Sequence, residues 1–169
     1  MKTLTQDEQY IERCIDLARQ AGESGDFPIG SLMVLGNEII SERYNESFAK
    51  KEVYRHAELL ALADAQKKLN RDQLSECTLY SSVEPCPMCS FAIQELNIKR
   101  VVFGLRSPIM GGYSRWSILQ DKKLNETFPN SFGRAPEIVT DILKDSVAEG
   151  WKQWNNDKWE RLYNKGVLR

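Results

Sequence analysis

The sequence predicts an α/β fold in which a β-sheet packs between layers of helices. Over residues 5–25, apolar residues recur at three- and four-residue steps with charged residues between them, which is typical of an amphipathic helix. Beyond this segment, short extended apolar runs alternate with stretches rich in Ala and Leu. Strands that alternate with helices along a chain indicate an α/β sandwich.

The first two strands are predicted as a hairpin directly after the N-terminal helix. Gly22 and Gly25 end that helix, and residues 28–35 then form a nearly continuous apolar run. A turn at Gly36 and Asn37 leads into residues 38–44, which continue in an extended pattern. The continuous apolar run indicates that the first strand is buried on both faces of the sheet.

The middle of the chain continues the alternation of helices and strands. Residues 56–69 are rich in Ala and Leu with a polar stripe and predict a helix, whereas residues 77–82 resemble a strand. A further helix is predicted over residues 86–96, and the β-branched residues of 100–104 favour another strand.

The remainder of the chain combines a long loop with a closing helix. Residues 106–136 are rich in Gly, Pro, Ser and Asn around a helix-like stretch at 114–121, and such length is typical of a lid or binding wall. We therefore expect a substrate-side loop region there, followed by a last strand at 137–140. A C-terminal helix and tail are predicted over 145–169, with apolar residues spaced for one shared face: Val147, Trp151, Trp154 and Trp159. Residues 1–169 are expected to form a single domain.

The composition of the chain bears on which classes of binding partner it can attract. The chain has 169 residues with 23 Lys and Arg against 24 Asp and Glu, so its net charge of −1 gives no overall attraction to nucleic acid or to an anionic membrane. No segment resembles a secretory signal or a membrane span, and the chain is expected to be cytoplasmic. The four cysteines are too few for a disulfide scaffold and suit a reducing compartment: Cys14, Cys77, Cys86 and Cys89.

Two short motifs carry the strongest chemical signal. The motif His56-Ala57-Glu58 is followed, thirty residues after its histidine, by Cys86-Pro87-Met88-Cys89, and each motif lies at the predicted N-terminus of a helix. Cysteines at positions i and i+3 share one helix face, so both thiolates can bind one ion, and together with an imidazole they form a ligand set that Zn²⁺ accepts. Three protein ligands leave a fourth position open, as in a catalytic zinc site.

Glu58 is predicted to move protons rather than to bind the metal. It lies only two residues from His56, and residues two apart on a helix do not face the same way. A carboxylate beside an activated water can accept its proton and pass it to a leaving group.

Two other interpretations of the cysteine pair remain open at the level of sequence. Two cysteines separated by two residues also form thiol redox pairs. Alternatively, Cys77 or Cys14 could complete a closed, non-catalytic zinc module, although each also fits as a small buried hydrophobic residue.

The two motifs resemble those of the cytidine and deoxycytidylate deaminase superfamily. Pro28-Ile29-Gly30, Asn45 and the stretch at residues 100–104 are similar to the branch that contains guanine deaminases, cytosine deaminases and bacterial tRNA adenosine deaminases. The resemblance covers roughly residues 8–106 and implies a three-layer sandwich with a mixed five-stranded sheet, assembled as a homodimer. It also implies a residue assignment: His56, Cys86 and Cys89 hold Zn²⁺, Glu58 is the general acid and base, and Asn45 hydrogen-bonds the substrate ring.

The resemblance implies zinc-dependent hydrolytic deamination of a nucleobase or nucleoside, in which zinc-activated water attacks the amino-bearing carbon and ammonia is released. We expect the backbone near Ala57 to contact the substrate ring and Trp116 to line the pocket. The C-terminal region is similar to that of guanine deaminases and favours a guanine-type free base. A tRNA-specific adenosine-to-inosine deaminase is the alternative, because residues 151–169 carry five basic residues against two acidic ones, a local charge of +3.

Overall fold

A mixed five-stranded sheet forms the centre of the molecule. The computed structural model describes residues 3–169, and the strands run in the order β2-β1-β3-β4-β5. β1 is antiparallel to both β2 and β3, whereas β3, β4 and β5 are parallel to one another. The strands are β1 (Gly30–Leu35), β2 (Glu38–Tyr44), β3 (Cys77–Val83), β4 (Arg100–Leu105) and β5 (Glu137–Val139).

Six α-helices accompany the sheet in the described residues. They are α1 (Gln6–Glu23), α2 (Ser47–Lys50), α3 (Ala57–Leu69), α4 (Pro87–Glu95), α5 (Lys123–Thr127) and α6 (Lys144–Asn164). α1 and α6 contribute to one buried apolar cluster, and α3 and α4 contribute to another. The α/β sandwich with a five-stranded sheet is therefore confirmed.

Successive side chains of the central strands point to opposite faces of the sheet, and this explains why there are two apolar clusters. In β1, Met33 joins the cluster with α3 and α4, whereas Leu32 joins the cluster with α1 and α6. Leu79 and Tyr80 divide in the same way in β3. Because successive side chains of a strand point to opposite faces, each central strand supplies both clusters. The burial of the first hairpin strand on both faces is confirmed.

The predicted helix at residues 114–121 is wrong. The segment contains turns and a 3₁₀ turn over Ile118–Gln120, and the helix α5 begins only at Lys123. The backbone N–H groups of Tyr113 and Ser114 donate to the carboxylate of Glu84, at 3.0 and 2.6 Å. Ser117 adopts a left-handed backbone conformation with φ of 53°, so a continuous right-handed helix cannot pass through it.

The C-terminal helix agrees with its predicted position but has a break. Asn155 has non-helical backbone angles within α6, and the buried apolar residues of the helix are Val147, Trp151 and Trp159. After α6 the chain returns to the sheet, where the backbones of Arg106 and Arg169 exchange two hydrogen bonds of 2.9 and 3.0 Å. The last residues therefore lie beside the end of β4.

Within residues 3–169, none of the helices combines the length and the apolar character needed to cross a lipid bilayer.

A partly buried ion pair fastens the start of α1 to β4. Arg100 donates to both carboxylate oxygens of Asp7 at 2.8 and 2.7 Å, and the hydroxyl of Tyr80 donates to the same carboxylate at 2.8 Å. The pKa of Asp7 is lowered chiefly by the hydrogen bond from Arg100. We expect Asp7→Asn to lower the free energy of unfolding by about 1.5–3 kcal/mol at pH 7, measured by urea denaturation.

The loss of unfolding free energy in Asp7→Asn should be smaller at low pH. Because the folded-state pKa of Asp7 lies below its ordinary value of 3.8, its contribution is complete above that pH and disappears as the pH falls through the folded-state pKa. Asp16→Asn is the matched control, since Asp16 pairs with Arg19 on the exposed face of α1, and we expect a change below about 0.5 kcal/mol. Equal losses for the two variants would contradict this account.

Candidate active site

Two helix N-termini bring the side chains of the two motifs to one point. His56 is the N-cap residue of α3, and Cys86 is the N-cap residue of α4, with Pro87 in the first helical turn. Pro at this position is favoured because its missing N–H would have no partner there. Cys89 follows on the first turn of α4, so that both sulfurs face His56.

The three predicted ligands form a compact triangle. Cys86 Sγ lies 3.4 Å from His56 Nδ1, Cys89 Sγ lies 3.6 Å from the same nitrogen, and the two sulfurs are 3.6 Å apart. Tetrahedral zinc with ordinary ligand distances requires sulfur–sulfur edges of about 3.8 Å and sulfur–nitrogen edges of about 3.6 Å. The donor set therefore fits Zn²⁺, which is the cofactor of this chain.

The remaining cysteines do not take part. Cys14 lies on the buried face of α1 and Cys77 begins β3, and both are fully buried in the two apolar clusters. Among the described residues, the group that can hold a metal consists of His56, Cys86 and Cys89. A closed zinc site completed by Cys14 or Cys77 has no support in this arrangement.

The two sulfurs differ in their affinity for a proton, which Cys89 holds more tightly than Cys86. The pKa of the Cys86 thiol is lowered to about 4, first because Cys89 donates a hydrogen bond to its sulfur and also because His56 lies beside it. The pKa of Cys89 is raised by the same contact and by burial. Metal binding requires both thiolates, so uptake of Zn²⁺ displaces this proton.

Glu58 lies buried beside the ligand triangle. It is one of the buried charged residues, and the hydroxyl of Ser81 donates to its carboxylate at 3.4 Å. Burial raises the pKa of Glu58 to about 7, and the negative charge of Cys86 acts in the same direction. The carboxylate therefore lies next to the metal position without belonging to the ligand group.

A cavity of about 540 Å³ opens onto these residues. Its polar wall includes Asn45, His56, Glu58 and Cys86. Such a volume accommodates a small organic ligand, and the lining is mostly apolar with a few polar side chains. The apolar wall includes Phe27, Phe48, Trp151, Leu162, Val167 and Leu168.

The residues predicted to contact the substrate do not all lie at the cavity. Asn45 follows β2 and lines the cavity. Ala57 is fully buried between His56 and Glu58, so a contact through its backbone stays a prediction. The side chain of Trp116 is 55% exposed, lies next to Arg115 and is not among the residues that line the cavity. The structure does not bring Trp116 to the site, because the turn after Gly111 directs residues 115–116 to the surface.

Sequence reasoning missed Glu84, whose carboxylate holds the backbone of the segment that follows β4. Its carboxylate is buried, lines the cavity and accepts hydrogen bonds from Ser107, Tyr113 and Ser114. A Cβ at Gly111 would lie 1.8 Å from a Glu84 oxygen, so this close approach requires glycine. Its position directly before Pro85-Cys86 was the available signal, but its partners are 23 to 30 residues away.

Sequence reasoning also missed Asp26. This buried carboxylate accepts a hydrogen bond of 2.7 Å from the side-chain amide of Asn45, and it accepts further hydrogen bonds from the backbone at the start of α2. Its signal in the sequence was weak, since an acidic residue after Gly25 is typical of an exposed turn.

Comparison with known proteins agrees with the motifs and the geometry. The family model of the cytidine and deoxycytidylate deaminase zinc-binding region matches residues 4–105. A tRNA-specific adenosine deaminase of Bacillus subtilis is 35% identical over 144 residues, covering 84% of each chain. A tRNA-specific adenosine deaminase of Aquifex aeolicus is 34% identical, over 81% of this chain and 93% of the relative.

Solved structures give the same fold. One structure comes from a study of A-to-I editing by tRNA:A34 deaminases at the wobble position of transfer RNA. It superposes with a TM-score of 0.74 at 28% identity and covers 84% of this chain and 98% of that one. The guanine deaminase of Nitrosomonas europaea superposes with a TM-score of 0.73 at 22% identity, over 92% and 87% of the two chains, which is a likeness of fold.

Proposed function

The chain belongs to the cytidine and deoxycytidylate deaminase family, and from this premise we propose that it converts an adenosine of tRNA into inosine by hydrolytic deamination. It is an enzyme of the nucleobase and nucleoside deaminase class. The observation that carries the choice of substrate is its similarity to curated tRNA-specific adenosine deaminases over most of both chains. The expected preference for a guanine-type free base has no support from these relatives.

The proposed mechanism assigns a proton-transfer role to Glu58. When bound by His56, Cys86 and Cys89, zinc supplies the Lewis acidity that makes water acidic enough to attack at neutral pH. Glu58 accepts one proton of the attacking water and delivers it to the ring nitrogen beside the reacting carbon. It then accepts the second proton, from the hydroxyl that now stands on that carbon, and passes it to the departing amino group, which leaves as ammonia. Ser81 holds the Glu58 carboxylate by its hydroxyl, and the amide of Asn45 helps to orient the nucleoside from the cavity wall.

One feature of the cavity wall is compatible with an RNA substrate. Lys51 lines the cavity, and no ion pair ties its ammonium group within residues 3–169. A phosphate of a nucleotide that enters the cavity would therefore meet an uncompensated positive charge.

A free amino-heterocycle is the second candidate substrate. The observation that favours it is the apolar wall formed by Leu162, Val167 and Leu168, which brings the C-terminal segment over the same cavity as Glu58. A cavity of about 540 Å³ with a mostly apolar lining suits a small heterocyclic molecule. The homodimer implied by the family resemblance is part of the proposal for either substrate.

One experiment separates the two candidates. Zinc-loaded protein is incubated with an anticodon stem-loop RNA that contains adenosine, and in parallel with adenosine, adenine, guanine and cytosine. Ammonia and inosine are measured, with Glu58→Gln as the control. We expect inosine in the RNA and a KM that rises steeply with salt, because phosphate contacts release counterions. Turnover confined to a free base, with no dependence of KM on salt, would overturn the tRNA proposal.

A further inference from the structure

Asp26 lies just behind the cavity and is firmly fixed. Its side chain is almost fully buried, and its backbone N–H donates to the carbonyl of Ala21 at the end of α1. One carboxylate oxygen accepts hydrogen bonds from the backbone N–H groups of Phe48 and Ala49 at 2.7 and 3.0 Å. The other accepts from the N–H of Phe27 and from the side chain of Asn45, at 2.8 and 2.7 Å.

These contacts determine which end of the Asn45 amide faces the cavity. Burial alone would raise the pKa of Asp26, but the N–H donors around it outweigh burial and hold the pKa below its usual value, so the group is an ionised acceptor. An ionised carboxylate only accepts hydrogen bonds, and the amide atom 2.7 Å away must therefore be the NH₂ group. The same nitrogen also donates to Ser47 Oγ at 3.0 Å, so both of its hydrogens are used.

The oxygen of the amide is left for a ligand. Asn45 Oδ1 accepts no hydrogen bond from residues 3–169, and it is not among their fully buried polar atoms that lack a partner. Asn45 lines the cavity. The cavity is therefore where this oxygen can find a donor.

We propose that Asp26 is a positioning residue that locks the Asn45 amide with its carbonyl oxygen toward the cavity, so that the site selects substrates offering an N–H or O–H donor at that point. The inference rests on the substrate contact of Asn45 in the proposed function. In adenosine the ring nitrogens are acceptors, so the matching donor is the exocyclic amine or a ribose hydroxyl. Guanine would instead present a ring N–H.

A reciprocal exchange of the two side chains tests this orientation. In Asp26→Asn the new NH₂ group opposes the NH₂ of Asn45, which must turn and present the wrong end to the substrate. In Asn45→Asp two carboxylates face each other. In the double variant D26N/N45D the amide at position 26 donates to the carboxylate at position 45, whose second oxygen again faces the cavity.

We expect kcat/KM to fall about 10- to 100-fold in each single variant and to recover to within about tenfold of the wild type in the double variant. All three proteins keep an acceptor oxygen at position 26 for the N–H groups of Phe48 and Ala49. If Asp26 only stabilised α2, Asp26→Asn would lose little and Asn45→Asp would gain no rescue, which would overturn the proposal. Zinc content and unfolding midpoints are measured for each variant.

A second measurement does not depend on turnover. In the wild type, NMR should show the side-chain NH₂ protons of Asn45 shifted by the carboxylate and exchanging slowly with water, and Asp26→Asn should abolish both features. Unchanged signals in Asp26→Asn would contradict the inference. If no substrate of the panel reacts, the proposed function fails while this measurement still judges the role of Asp26.

Discussion

Replacement of Glu58 by Gln should lower kcat by about 10²- to 10⁴-fold while the zinc content stays unchanged. Gln has nearly the same shape and can still accept the hydrogen bond from Ser81, but it cannot take a proton from water or return one to the leaving amine. Because Glu58 lies outside the group formed by His56, Cys86 and Cys89, metal binding does not depend on its charge. Steady-state ammonia release and elemental analysis measure the two effects.

The control for this variant is Glu95→Gln, which removes a carboxylate from the exposed side of α4. We expect wild-type turnover and wild-type zinc content from it. A Glu58→Gln protein that retains full kcat would show that another group carries the proton. A protein that loses zinc along with activity would show that Glu58 helps to hold the metal.

Replacement of Cys86 by Ala should weaken zinc binding by at least about 100-fold and remove activity in proportion to the zinc lost. The variant keeps a histidine and one thiolate, and two ligands do not fix a tetrahedral site. Because zinc binds only the folded chain, its loss also lowers the thermal unfolding midpoint. Competition with a chromogenic chelator gives the affinity, and calorimetry gives the midpoint.

Cys14→Ala is the matched control, since Cys14 is buried on α1 among apolar side chains rather than at the metal position. It should keep zinc and turnover and lose only the packing of one sulfur, about 1 kcal/mol. Stoichiometric zinc and normal turnover in Cys86→Ala would contradict the assignment of the ligand group.

The sequence predicted the sheet and the metal centre well because both depend on local patterns. The predicted strand at 77–82 ends one residue before β3 does. The predicted helix at 86–96 extends one residue beyond α4 at each end. The zinc-binding side chains lie at or just inside helix N-termini, where the motif itself sets their spacing. Burial of β1 on both faces likewise follows from the nearly continuous apolar run of a short segment.

The parts that escaped prediction depend on distant partners. Glu84 and Asp26 act through backbone N–H groups 22 to 30 residues away, and no local pattern reveals such contacts. The expected helix at 114–121 does not form because Ser117 has a left-handed backbone conformation, which the local residue pattern does not reveal. The wall contributed by Val167 and Leu168 depends on the pairing of Arg169 with Arg106, which joins residues far apart in the chain.

In the proposed reaction, the site hydrolyses a carbon–nitrogen bond with water held beside Glu58. The most direct test is the reaction of the zinc-loaded protein with the adenosine-containing stem-loop in water enriched in oxygen-18, followed by mass spectrometry of the RNA nucleosides. We expect inosine whose new carbonyl carries oxygen-18, with one ammonia released for each inosine and neither product formed by Glu58→Gln. Inosine without the label, or inosine formed equally by Glu58→Gln, would contradict it.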